Sequence, residues 1–483
     1  MSLKKQAISG VKWTSLSSIL VAVIQLVQLA VLAHYLSPLD FGLMAIVSVI
    51  IGFSELFIDM GISASIIHRQ DITHLQLSSL YWLNIAAGIV LFILVYFSAS
   101  YVAQFYQESE LIPLIQLLAI TFILSAIGNQ YSILLQKSLR FSLIAKISIA
   151  STLGAFLLSV ILAINGFGVY ALVFSTLSRT LISTLLNLII GIKEHRPAIR
   201  YSYTEIKPMI SFGMYQMGER AMNYFNTQFD VIIIGKLLGT EALGIYNIAK
   251  NLAMRPAMII NPIITRVAFP IMAKVQDDIP KLKNIYLKTI NYLSSVNFPV
   301  YLLIALLAEP IIYLFFGEKW IQSIPILQIL AFYYAIRSTG NPIGSLQLAR
   351  GRADLGFYWN LAMFIIIPLI LYIGSFGGLK GTAWSLLFSG IILSIPGWYY
   401  MVYPLSKARF SEYFIQIIKP FILTIIGGSF AYCISIFFKE INYFLYSIVL
   451  SVTMIIPIWF LNRKFNPSFT NTIIEMLHSR KGN

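Results

Sequence analysis

Basic side chains stand inside long apolar segments of this chain. Four arginines fall near the middle of such segments, and one lysine lies a turn away from the third of them: Arg179, Arg220, Arg255, Arg337 and Lys250. A charge at the centre of a bilayer costs at least about 2.5 kcal/mol on insertion scales, so it should face a wet cavity or a partner. The guanidinium fork donates two parallel hydrogen bonds to phosphate. These residues therefore predict a cationic substrate-binding cavity for an anion.

Acidic side chains are fewer in the same segments. Glu55 and Asp59 are four residues apart and share one helix face, while Glu219 and Asp230 lie in a later apolar segment. We interpret Glu55, Asp59 and Asp230 as candidates for coupling transport to a proton or sodium ion. A structural role stays open for two of the sites, because Asp59 fits a helix cap and Glu219 and Arg220 fit ion pairs with other helices.

The segments that carry these charges must be membrane helices. Of 483 residues, 58% are hydrophobic and 11% are charged, whereas a soluble protein has about 25% charged residues. A spanning helix needs about 20 apolar residues, and the sequence predicts an all-α membrane protein with about fourteen of them. The predicted spans are 12–36, 41–67, 77–100, 111–135, 141–164, 167–192, 208–238, 242–269, 284–308, 322–348, 354–375, 378–402, 411–437 and 441–461.

The distribution of lysine and arginine predicts the orientation. The N-terminus, the even-numbered loops and the C-terminal tail are rich in both residues, whereas the opposite loops hold only Lys319, Lys380 and Lys439. Basic loops stay in the cytoplasm, so both termini should be cytoplasmic in a multi-pass protein of the inner membrane. The net charge of +15 therefore reflects membrane topology, and no nucleic-acid partner is expected.

A repeat divides the chain. A shift of 202 positions places Ala33–Gly42 on Gly235–Gly244, with Leu36 on Leu238 and Gly42 on Gly244. Both copies are predicted hairpins, and an even shift of six helices gives a parallel repeat, as in transporters with two lobes around a central path. The basic stretch Lys193–Lys207 lies midway between the copies. We predict an N-terminal lobe at 1–200, a second six-helix lobe at 201–405, and two further helices with a short tail at 406–483.

Several kinds of site are missing from the sequence. The single cysteine, Cys433, excludes an internal disulfide, the five histidines are scattered, and no phosphate-binding loop for ATP occurs. We therefore predict neither metal nor cofactor. The outer loops are too short to assemble a glycan-joining active site, so the protein is not expected to be an enzyme.

Four segments resemble the polysaccharide transport branch of the multidrug/oligosaccharidyl-lipid/polysaccharide superfamily, whose members include the Wzx-like flippases. They are Leu32–Gly42, Phe57–Gly61, Asp230–Tyr246 and Arg266–Pro270. The likeness is greatest to exporters of colanic and teichuronic acid. It implies fourteen helices, alternating access, and an undecaprenyl-pyrophosphate-linked oligosaccharide carried from the cytoplasmic to the periplasmic leaflet for cell-surface polysaccharide synthesis.

The predicted function is therefore a flippase for a lipid-linked anionic oligosaccharide, with membrane lipids and a polysaccharide polymerase complex as further candidate partners. The alternative is a drug or metabolite antiporter of the same superfamily, driven by protons or sodium. Such antiporters carry cations, and the excess of arginine argues against that alternative. A scaffold protein would have no need of four arginines near the midplane.

Overall fold

The computed structural model describes residues 3–59, 66–67, 71–439 and 442–471, without the side chains of 3–9, 11, 59, 208–217, 219 and 439. Over these residues the chain is helical and contains no β-strand. Two compact units divide it, Met1–Gly244 and Ile245–Asn483.

Within the described ranges, the long helices of the first unit end with the first turn of a helix that continues into the second unit. They are α1 (Leu3–Tyr35), α2 (Pro38–Asp59), α3 (His74–Tyr106), α4 (Leu111–Lys137), α5 (Phe141–Ile164), α6 (Tyr170–Gly191), α7 (Tyr203–Leu237) and the start of α8 (Thr240–Lys274). Helix α4 packs between α3 and α6, α5 joins α6 to α1, and α2 packs on α3, α4 and α7.

In the part of the second unit that the structure describes, the rest of α8 is followed by nine further α-helices. They are α9 (Ile279–Leu306), α10 (Ala308–Phe315), α11 (Ser323–Thr339), α12 (Pro342–Ala349), α13 (Ala353–Ser375), α14 (Gly378–Gly397), α15 (Tyr403–Ser406), α16 (Phe410–Lys439) and α17 (Tyr443–Phe465). Helix α9 packs against both α11 and α16, and α11 in turn packs on α14.

Twelve of the described helical segments are long and apolar enough to cross a membrane. Helix α7 and the segment formed by α11 and α12 occupy the two remaining predicted spans. Isoleucine and phenylalanine side chains are exposed on the outer faces of these helices, as at Phe97, Ile373, Ile392 and Phe430, which suits lipid rather than water. The prediction of an all-helical, multi-pass membrane protein is confirmed.

The predicted span at 322–348 consists of two helices in the structure. Helix α11 ends at Thr339 and α12 begins at Pro342. The N–H groups of Gly340 and Asn341 donate to the carbonyls of Arg337 and Ser338, both at 3.3 Å, which are tight three-residue turns. Proline has no N–H to continue the helical pattern, so the break falls immediately before Pro342.

The repeated hairpins touch through their glycines. A Cβ added to Gly42 would lie 1.8 Å from the carbonyl oxygen of Thr240, and one added to Gly244 would lie 1.8 Å from that of Pro38. The 202-residue shift converts Gly42 into Gly244 and Pro38 into Thr240, so the two contacts are the same contact seen from both copies. Local two-fold symmetry therefore relates the hairpins, and both positions require glycine.

A buried amide ties the last membrane helix to α9. The Nδ2 atom of Asn466, which follows α17, lies 3.0 Å from both Asn291 Oδ1 and Ser295 Oγ and 3.2 Å from Asn462 Oδ1. Asn291 in turn donates to Gln416 of α16 at 3.2 Å. The trailing pair of helices is therefore joined to α9 by hydrogen bonds as well as by apolar packing.

We expect Asn466→Ala to destabilise the protein by about 1–3 kcal/mol, because it leaves buried acceptors without their donor. Thermal unfolding in detergent measures the effect, and Lys464→Ala, an exposed position two residues earlier, is the matched control. Equal melting temperatures for the two variants would contradict the role given to Asn466.

Candidate functional site

Helices α2 and α6 bring two of the predicted site residues together. The carboxylate of Glu55 and the guanidinium of Arg179 lie close enough to attract each other electrostatically. Both side chains are nevertheless exposed, so they border an accessible space instead of being sealed between helices. No acidic residue lies on α6 near Arg179, and its acidic neighbour comes from a helix more than a hundred residues away in the sequence.

Helix α7 contacts the same part of α2 through the side chain of Tyr224. The hydroxyl of Tyr224 donates to the carbonyl of Val49 at 2.9 Å, against Gly52, where a side chain would collide with that hydroxyl. Its phenol also lies within electrostatic range of Glu55. Arg220 is exposed one turn before Tyr224, on the same face of α7. The first unit thus places Tyr224 near Glu55 and Glu55 near Arg179, while Arg220 lies one turn from Tyr224 on the same helix.

The other acidic candidates fall differently. Asp230 is buried, and its carboxylate accepts a hydrogen bond from the N–H of Val231 at 2.8 Å. The side chains of Asp59 and Glu219 lie outside the part of the chain that the structure describes. Of the proposed coupling residues, Glu55 is therefore the one with an accessible carboxylate among the described side chains.

In the second unit Arg337 rests on tyrosines. Its guanidinium carbon is 5.9 Å from the ring centres of both Tyr333 and Tyr334, and it donates to the hydroxyl of Tyr333 at 3.4 Å. The side chain itself is exposed. Cation–π contact restricts the guanidinium without neutralising its charge, so Arg337 is held in place as a cation one turn before the break between α11 and α12.

Tyr301 connects the segments that carry Arg255 and Arg337. Its hydroxyl accepts the N–H of Ala257 at 3.1 Å, just after Pro256 in α8, and lies within electrostatic range of Arg337. Arg255, two residues before Ala257, is half-buried, and Lys250 is buried. Tyr301 and the tyrosines of α11 were not among the predicted site residues, and the one signal for them in the sequence is the spacing of Tyr333 and Tyr334 beside an intramembrane arginine.

No group of three or more histidine, cysteine, aspartate or glutamate side chains is placed to bind a metal ion among the residues that the structure describes. The charged groups described above instead form two cation-bearing clusters, one in each compact unit. Such clusters suit reversible binding of an anion by charge and hydrogen bonds.

The family model for polysaccharide biosynthesis proteins matches residues 31–325. TuaB of Bacillus subtilis (strain 168), a teichuronic acid biosynthesis protein, is 37% identical over 439 residues, which cover 90% of each chain. The chain belongs to this family. WzxC of Escherichia coli (strain K12), a lipopolysaccharide biosynthesis protein, is 34% identical over 440 residues, 91% of this chain and 89% of WzxC. The resemblance drawn from the hairpin segments is confirmed.

A solved structure extends the comparison to the whole fold. The inward closed conformation of the lipid II flippase MurJ superposes with a TM-score of 0.74 at 13% sequence identity, covering 93% of this chain and 98% of that one. The predicted fold class, about fourteen membrane helices arranged in repeated lobes, is therefore confirmed. At this identity the likeness concerns the fold alone.

Proposed function

We propose that the protein is a flippase, which carries an undecaprenyl-pyrophosphate-linked oligosaccharide from the cytoplasmic to the periplasmic leaflet for the synthesis of a cell-surface polysaccharide. Relatives named for teichuronic acid and lipopolysaccharide biosynthesis support the glycan. The observation that carries the proposal is the set of arginines held on membrane helices with accessible or half-buried side chains: Arg179, Arg220, Arg255 and Arg337.

The chemistry of the cargo matches these groups. A pyrophosphate is the charged part of a lipid-linked precursor, and it must leave water to cross the bilayer. Arginine replaces the lost hydration with paired, charge-assisted hydrogen bonds. In this proposal the arginines of both clusters and Lys250 receive the pyrophosphate in turn, while the prenyl chain stays in lipid.

Alternating access requires that charge in the cavity be compensated when the cargo leaves. Glu55 lies beside Arg179, so it can neutralise that arginine in the empty state and give it up when the pyrophosphate arrives. Asp59 and Asp230 remain candidates for the coupling ion. In this account no covalent step occurs, and the protein acts as a transporter rather than an enzyme.

We propose that the protein lies in the inner membrane with both termini in the cytoplasm, because its lysines and arginines are concentrated on that side. A polysaccharide polymerase that receives the cargo at the outer face is the proposed protein partner. In sealed spheroplasts, a single cysteine introduced near Arg463 in a Cys433→Ala background should stay unlabelled by a membrane-impermeant maleimide, and its labelling would contradict this orientation.

Reconstitution tests the substrate site. In proteoliposomes with fluorescent undecaprenyl-pyrophosphate oligosaccharide, we expect Arg255→Ala and Arg220→Ala each to lower the translocation rate at least about tenfold, as expected for loss of a charged hydrogen bond worth about 1.5–3 kcal/mol. Arg352→Ala is the matched control, because Arg352 pairs with Asp354 at an exposed position, with a distance of 2.8 Å.

Folded Arg220→Ala and Arg255→Ala proteins that translocate at the wild-type rate would refute the cationic site. Transport of a cationic drug in exchange for protons, without movement of the lipid-linked glycan, would instead favour the antiporter alternative.

A further inference from the structure

The segment between α6 and α7 displays an isoleucine to the outside. Ile199 is 94% exposed, the largest value among the exposed large hydrophobic residues of the described chain. Tyr201 and Tyr203 follow at 53% each, and the flanking Arg196 and Arg200 are also exposed. A solvent-facing loop would gain nothing from this arrangement, whereas apolar tips flanked by basic residues are typical of surfaces that dock into a membrane interface.

Hydrogen bonds from the beginning of α3 hold this segment in one shape. Ala198, the residue before Ile199, donates its N–H to Ser78 Oγ at 3.0 Å and accepts from Trp82 Nε1 at 2.8 Å. Ser202 donates its N–H to Ser79 Oγ at 3.0 Å. Both sides of Ile199 are thus fixed, so the exposed side chain is a feature of a constrained loop.

A pair of histidines anchors the start of the same segment. His74 Nε2 donates to the carbonyl of Arg196 at 3.0 Å, and its ring centre is 4.7 Å from that of the buried His195. Burial, with a smaller contribution from His74, lowers the pKa of His195. Its imidazole is therefore neutral at pH 7, and the positive charge of the segment resides on Arg196 and Arg200.

The position of Trp82 indicates the depth of the loop relative to the membrane. Helix α3 has 33 residues and is about 50 Å long at 1.5 Å per residue, longer than the roughly 30 Å hydrocarbon core. Its first turns, which are polar, must project from the core. Trp82 lies between those turns and the apolar run from Ile85 onward, is 37% exposed, and is of the type enriched at the membrane interface. Because its indole bonds to Ala198, the loop lies at that level.

We propose that the segment 196–203 is a membrane-docking loop, in which Ile199 enters the cytoplasmic leaflet while Arg196 and Arg200 bind the phosphates of anionic phospholipids. The constrained backbone fits this partner, since it presents the apolar tip and both guanidinium groups without further ordering. Anionic lipid is the occupant that complements this charge. The docking would fix the linker between the two predicted lobes to the membrane surface, and it does not depend on the cargo.

Spin labelling of the full-length protein in nanodiscs tests the proposal. The exposed Cys433 is first removed as Cys433→Ala, and a label is attached to Ile199→Cys. Asp277→Cys, at an exposed position between α8 and α9, is the matched control in water. We expect the label at 199 to be several-fold more accessible to oxygen than to a water-soluble nickel chelate in phosphatidylglycerol nanodiscs, and the label at 277 to show the opposite preference.

Substitution of the two arginines is the second part of the experiment. Each basic residue near an anionic surface is worth about 1 kcal/mol, so Arg196→Gln combined with Arg200→Gln should lower the inserted fraction relative to the free fraction about thirtyfold. Zwitterionic nanodiscs should reproduce that loss with the arginines present. Chelate accessibility at 199 equal to that at 277 in anionic lipid would overturn the proposal, and so would protection that appears only when a soluble protein is added.

Discussion

Replacing Gly42 or Gly244 by alanine is expected to lower the melting temperature by several degrees. Each added Cβ would come within 1.8 Å of a backbone carbonyl oxygen of the facing hairpin, which no rotamer change can relieve. Forcing extra atoms into a packed contact costs about 1–3 kcal/mol and sometimes more. Thermal unfolding in detergent or nanodiscs, read from size-exclusion profiles, measures the effect.

Gly218 provides a control of the opposite sign. It also lies inside a helix, but nothing would lie within 4 Å of its added Cβ. Because alanine is favoured over glycine in a helix by about 1 kcal/mol, Gly218→Ala should be neutral or stabilising. Comparison with Gly218→Ala therefore separates the steric clash at the hairpins from the general effect of replacing a helical glycine by alanine.

The symmetry of the contact makes a sharper prediction. Once one Cβ has pushed the hairpins apart, the second finds the space already open, so Gly42→Ala combined with Gly244→Ala should cost clearly less than the sum of the single changes. Contacting residues show such coupling, whereas independent sites add. Additive losses in this double-mutant cycle would contradict the reciprocal contact, even if both single variants are destabilised.

Removing Arg179 is expected to have the second large effect. In Arg179→Gln the carboxylate of Glu55 keeps its place on a membrane helix but loses the neighbouring cation. An uncompensated acid at membrane depth costs at least about 2.5 kcal/mol on insertion scales. Yield of folded protein and glycan translocation should therefore both fall, and translocation should fall further.

A second substitution separates structure from transport. Combining Arg179→Gln with Glu55→Gln removes both charges, so the folded yield should return towards the wild-type value. Translocation should stay low, because the site has lost a phosphate-binding fork. Arg179→Lys keeps the charge without the fork and should fold well with intermediate transport. Full recovery of transport in the double variant would show that Arg179 serves only to balance Glu55.

The fold could be predicted from the sequence wherever a local pattern determines the structure. Apolar segments of about 20 residues predict membrane helices, because a chain in lipid has few other ways to form hydrogen bonds with all of its backbone groups. The 202-residue shift matched Gly42 with Gly244, and in the structure these two glycines make equivalent contacts. A repeated fold requires the same residue wherever the same close approach occurs, so the pattern survives in the sequence.

The candidate site could be predicted only in part, because the residues that contact its arginines come from distant positions in the sequence. The midplane arginines are visible as charges in apolar runs, but nothing near Arg179 in the sequence indicates Glu55. Likewise, the tyrosines beside Arg337 resemble ordinary core residues until their distances are known. The docking loop was seen as a basic linker, whereas its shape depends on Ser78, Ser79 and Trp82, more than a hundred residues earlier.

The helix break shows a subtler limit. Pro342 alone is compatible with a kinked but continuous span, since proline occurs within several other helices of this chain, for example Pro262 in α8. Between α11 and α12 the helix breaks because Gly340 and Asn341, which are weak helix formers, come directly before Pro342, which has no N–H to donate. A span predicted from hydropathy averages over such a combination.

Movement of a lipid-linked anionic glycan across the bilayer can be measured with wild-type protein in liposomes that contain fluorescent undecaprenyl-pyrophosphate oligosaccharide, with a membrane-impermeant quencher added outside. If the protein is this flippase, we expect quenching to pass beyond the outer-leaflet fraction within the assay. We also expect an uncharged prenyl-linked analogue to be moved far more slowly. Quenching that stops at the outer-leaflet fraction, as in protein-free liposomes, would contradict the proposed function.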